Sequence, residues 1–104
     1  MKFVMFVMCD IPKMAEVAQA MDKVWASSPP GIKALASYVC QGGFPFPNVP
    51  ASTVVVIEIV EAQNNEAIAG FQYPVVLAGA SIYCVPLLEL PLTGAVEAEK
   101  KYRG

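Results

Sequence analysis

The segment from Thr53 to Glu61 reads TVVVIEIVE and constrains the fold more than any other part of the chain. Successive side chains of a strand point to opposite faces of its sheet. Val55, Ile57 and Ile59 therefore share one face, and Val54, Val56 and Val60 share the other. A strand that is apolar on both faces belongs at the centre of a sheet covered on both sides. Residues 2–9, KFVMFVMC, repeat the pattern, with Phe3, Met5 and Val7 opposite Val4, Phe6 and Met8.

A chain of 104 residues makes one domain. Surface scaling gives about 5,700 Å² exposed when folded, so about 65% of the extended chain's surface is hidden, enough for one modest core. The composition is 56% hydrophobic and only 15% charged, against about 25% charged in an ordinary domain. The extra apolar surface must go into a membrane or against another subunit. A membrane-spanning helix needs about 20 consecutive apolar residues, and the run from Phe3 to Cys9 stops at Asp10. Lys2 before that run imitates a secretion signal, but no small-residue cleavage site follows. The expectation is a cytoplasmic protein without a membrane segment. Net charge −2 and a pI near 4.9 leave no cationic surface for phosphates, so nucleic acid is not an expected partner.

The rest of the chain supplies two helices and two further strands. After Asp10, a candidate N-cap with Pro12 in the first turn, the residues Met14, Val17, Ala18, Met21, Val24 and Trp25 recur at helical spacing. Ser27-Ser28-Pro29-Pro30-Gly31 stops that helix. Residues 32–40 read as a strand, with Ile32, Ala34, Ala36, Tyr38 and Cys40 on one face and Lys33, Leu35, Ser37 and Val39 on the other. A proline- and glycine-rich loop over 41–50 precedes the TVVVIEIVE strand. Asn64 or Asn65 caps a weaker helix over 65–78, in which Gly70 and Pro74 predict a kink or two short pieces. Residues 81–90 form the last strand, and Pro86 within it predicts an edge position. Residues 91–104 follow as a C-terminal tail or short helix outside the domain of residues 1–90.

This order is the βαββαβ plan of a ferredoxin-like α+β fold, with both helices on one face of a four-stranded antiparallel sheet. The opposite, open face should then turn polar, and here it stays apolar. Packing two such faces about a two-fold axis removes the exposure. The expected assembly is a homodimer through the open sheet face.

The chain resembles the dimeric α/β-barrel superfamily, and within it the short members that carry no assigned activity. The resemblance spans residues 1–90 and rests on element order, Met1-Lys2-Phe3, Pro30-Gly31-Ile32-Lys33, Ala78-Gly79-Ala80 and Val85-Pro86-Leu87-Leu88. It implies a cavity between sheet and helices, or between two sheets, that holds a small apolar ligand. Relatives include cofactor-free monooxygenases, isomerases of small lactones, haem-degrading enzymes and effector-binding modules, and fold alone does not choose among them.

Histidine is absent from the sequence, which excludes Ser-His and Cys-His catalysis and the haem ligand of the haem-degrading relatives. Cys9, Cys40 and Cys84 show no metal-ligand spacing and read as inert thiols. No cofactor and no metal are expected. Glu58 is the candidate catalytic residue: flanked by Ile57 and Ile59, it would have a raised pKa suited to general acid–base work. The competing reading pairs it with Lys2 or Lys33 near a sheet edge. Tyr38, Tyr83 and Trp25 are the candidate ligand-binding residues, or else core and interface aromatics. Phe44-Pro45-Phe46-Pro47 reads as a dimer contact. Leu90-Pro91-Leu92-Thr93-Gly94 matches a sortase signal, but no apolar membrane span follows it.

Three functions compete at this level. One is a small-molecule-binding or structural homodimer without catalysis. The second is a cofactor-free monooxygenase or isomerase acting on a small apolar substrate. The third is an assembly module that recruits other subunits. Whether the protein is an enzyme stays open.

Overall fold

The computed structural model describes residues 1–42 and 47–104, so Phe44, Pro45 and Phe46 of the expected contact loop lie outside the described residues. Strand β1 (Lys2–Asp10) leads through a 3-10 turn (Ile11–Lys13) into helix α1 (Met14–Ala26). Strands β2 (Ile32–Val39) and β3 (Thr53–Ala62) follow, then α2 (Asn65–Leu77), β4 (Ser81–Leu87) and α3 (Ala95–Arg103). The four strands form one antiparallel sheet in the order β2-β3-β1-β4. This is the ferredoxin-like α+β fold, with the two doubly apolar strands at the centre. Pro86 lies on edge strand β4, where its missing donor costs no ladder bond on the outer side.

Helices α1 and α2 cover one face. The core beneath them joins Phe3, Met5, Val7 and Cys9 of β1 to Val56, Val60 and Ala62 of β3, and to Val17, Met21, Val24, Ile68, Phe71 and Val75 of the helices. Met5, Val17, Phe71 and Val75 are fully buried, each such side chain contributing about 1.5–3 kcal/mol. The opposite face carries Val4, Phe6 and Met8 of β1, paired across the ladders with Ile59, Ile57 and Val55 of β3 and with Val85, Tyr83 and Ser81 of β4.

Four local expectations are corrected. Ala34 pairs with Val60 and Ala36 with Ile59, so Leu35 is an extra residue in β2. This bulge exchanges the faces of everything after it: Ala36 and Tyr38 join the open face, while Ser37 moves opposite Glu58 on the helix side. Asp10 precedes the 3-10 turn without a side-chain capping bond, because α1 itself starts only at Met14. Helix α2 is one helix through Pro74 rather than two pieces, capped by Asn64 Oδ1, which accepts from Ala67 N at 2.9 Å. Strand β4 stops at Leu87 rather than Leu90, leaving residues 88–94 outside regular structure.

Candidate functional site

Glu58 lies in the middle of β3, between Met5 of β1 and Ser37 of β2. Its parity places it with Val56 and Val60 on the helix side of the sheet, and it is 3% exposed. The Ser37 hydroxyl donates to Glu58 Oε1 at 3.0 Å. Oε2 is buried and has no hydrogen-bond partner. Burial pushes the carboxyl pKa upward, and the Ser37 bond offsets part of that rise by favouring the ionised form. A buried carboxyl with one satisfied oxygen is therefore held toward its neutral form.

The expected pairing of Glu58 with Lys2 or Lys33 does not occur. Both lysines lie opposite Glu61, three residues further along β3 and on the other face. Lys2 Nζ instead pairs with Glu89, beyond the end of β4. That partner raises the Lys2 pKa and lowers that of Glu89.

The aromatic candidates are not brought together. Tyr38 and Tyr83 share the open face but stand on opposite edge strands, 63% and 60% exposed. Trp25 lies on the other side of the sheet, its ring stacked on Phe71 at 4.8 Å between centroids and 24° between planes. Its indole Nε1 is buried without a partner. Trp25 is thus partly buried and packed against the helix-side core.

A well-formed groove lies on the open face rather than beside Glu58. The groove, of about 740 Å³, runs along Phe6, Met8, Tyr83 and Val85 to a polar end at Asp10, Thr53 and Ser81. Residues 47–50 form one wall of it. Composition alone does not reveal this site, because it depends on which parity of β1 and β4 faces away from the helices. Its lining is hydrophobic with hydroxyls and one carboxylate at one end, a combination suited to a small apolar molecule with a polar group.

Chemistry elsewhere is sparse. All three cysteines are free, and burial raises the thiol pKa of Cys9 and Cys84. Among the described residues no group of three or more His, Cys, Asp or Glu side chains could hold a metal ion. Nor is any described helix long and apolar enough to cross a membrane.

No family model matches the chain, and no curated protein sequence matches it. Solved structures do share its architecture. It is similar to the C-terminal domain of the MgtC protein from Mycobacterium tuberculosis, with TM-score 0.58 and 9% identity over 80% of this chain and 83% of that one. It is also similar to SnoaB, a cofactor-independent oxygenase from Streptomyces nogalater, with TM-score 0.50 and 14% identity over 88% and 96% of the two chains. At such identities the likeness establishes a ferredoxin-like α+β domain and leaves the chemistry to the site itself.

Proposed function

We propose that this chain, its domain spanning residues 1–90, is a cytoplasmic homodimer of the dimeric α/β-barrel type, which joins its open sheet faces and holds a small apolar ligand in the groove enclosed between them. The carrying observation is the open face, where Val4, Phe6, Met8, Ile57, Ile59, Tyr83, Val85 and Leu87 form one apolar surface outside the helix-covered core. The exposed area supports it. The single chain exposes 7125 Å², against about 5,700 Å² for a compact monomer of this mass. Part of that excess belongs to the largely exposed residues 88–104, and part to the open face that a partner would cover. The groove opens on the same face, so pairing would convert it into an enclosed chamber.

Native mass spectrometry of protein purified without added ligand tests both halves. The reading expects a dimer carrying a retained small molecule, lost in Tyr83→Ala. A dimer that never retains or takes up an apolar probe such as anilinonaphthalene sulfonate contradicts the ligand half.

A second reading, a cofactor-free monooxygenase or isomerase, draws on Glu58, whose buried, unpartnered Oε2 is suited to proton transfer. SnoaB, a cofactor-independent oxygenase, has a similar fold. Glu58 faces the helices, however, while the groove lies across the sheet. Catalysis by Glu58 would therefore need a substrate between sheet and helices. Turnover of an apolar substrate that Glu58→Gln abolishes without loss of fold would favour this reading over pure binding.

A further inference from the structure

The C-terminal segment, residues 88–103, buries none of its side chains. No residue of α3 is buried, and its ion pairs, Lys100–Glu97 and Arg103–Glu99, close within the helix. A nine-residue helix without tertiary packing is marginal in water, because so few propagation steps cannot offset nucleation. The linker before it exposes Leu88, Leu90 and Leu92, which alternate along one side of an extended chain. Val96 and Tyr102 of α3 are exposed as well. The radius of gyration, 15.5 Å, exceeds the roughly 13 Å of a compact chain of this length, as a projecting arm would make it.

The root of this arm is fixed on one side of the sheet. Lys2, which binds Glu89, shares its parity with Val4, Phe6 and Met8 and so belongs to the open face. The arm therefore departs over the face that would meet the second copy. Stretched out, the seven residues 88–94 could reach about 24 Å, enough to cross several strands spaced about 4.8 Å apart.

We propose that the C-terminal arm is exchanged: residues 88–103 of each protomer cross to a second copy of this chain and pack their leucine row and α3 against the rim of that copy's open sheet face. This rests on the homodimer reading and deepens it. The arm supplies the apolar surface that covers the margin of the partner's groove, and the partner supplies the packing that α3 lacks.

Photo-crosslinking of the full chain tests the exchange. Leu92→p-benzoylphenylalanine is prepared as mixed dimers of ordinary and 15N-labelled copies and irradiated. Crosslinked peptides should join the arm of one isotope to β1 or β4 of the other. In parallel, the double variant Leu90→Ser/Leu92→Ser should weaken dimerisation by about tenfold or more. A dimer whose arm crosslinks only within its own chain, or not at all, overturns the exchange and leaves the dimer standing. A wild-type protein that is monomeric throughout overturns both.

Discussion

Ser37 and Glu58 face each other across β2 and β3, with the serine hydroxyl 3.0 Å from one carboxylate oxygen and the other oxygen buried and unpartnered. The pair exists because the bulge at Leu35 turns Ser37 to the helix side. A lone carboxyl beneath the helices, without a cation, is the most consequential electrostatic feature of the fold.

Its first consequence is a pH dependence of stability. The folded-state pKa of Glu58 lies above its ordinary value because of burial. The folded protein then binds the proton more tightly than the unfolded chain, so this contribution is complete below the unfolded pKa and is lost as pH rises through the folded one. Urea midpoints measured from pH 4 upward should fall across that window, and Glu58→Gln should flatten the slope while leaving the protein at least as stable at pH 7. An unchanged slope in the variant would remove Glu58 as its source.

Ser37→Ala tests the partner. Losing the hydroxyl leaves Oε1 without its donor, at a cost of about 1–2 kcal/mol. Because the Ser37 bond favours the ionised form, its loss should move the Glu58 titration further upward. Carbon-detected NMR of the Glu58 side chain reads this directly; a downward move would contradict the geometry.

The helix-covered core makes a separate demand. Phe71 is fully buried and stacks on Trp25. Phe71→Ala should cost about 3–5 kcal/mol through lost contact and cavity formation, with tryptophan emission shifted to the red. Equilibrium urea unfolding followed by that fluorescence measures both. A loss under 1 kcal/mol would mean that the two helices do not share this anchor.

Much of this architecture was legible in the chain. The doubly apolar runs at 2–9 and 53–61 marked β1 and β3 as central, Pro86 marked β4 as an edge, and the pair Asn64-Asn65 marked the start of α2. Glu58 stood out as the charge in the middle of the apolar run of β3. Its partner did not, because strict alternation through β2 puts Ser37 on the wrong face, and no glycine or proline in residues 32–39 announces the bulge. The groove was equally hidden. It draws on three separate stretches, 6–10, 47–53 and 79–85, and only register brings Met8 beside Ser81 and Asp10 beside Thr53. Tyr38, Tyr83 and Trp25 are aromatics with polar tips, a property that carries no information about shared location.

The open face supplies the remaining prediction. Val85 is already 45% exposed in the single chain, so a charge there should alter monomer stability by about 0.5 kcal/mol or less. At the centre of a two-sheet interface the same charge would be buried and unpaired. Val85→Lys should therefore dissociate the protein with its circular dichroism spectrum retained. A variant that remains fully dimeric would move the interface elsewhere.

Sedimentation equilibrium of the wild-type chain across a wide concentration range tests the central claim most directly. A homodimer joined through the open sheet face predicts a mass of twice the 11.1 kDa of the single chain. A single species at 11.1 kDa at every concentration would contradict it.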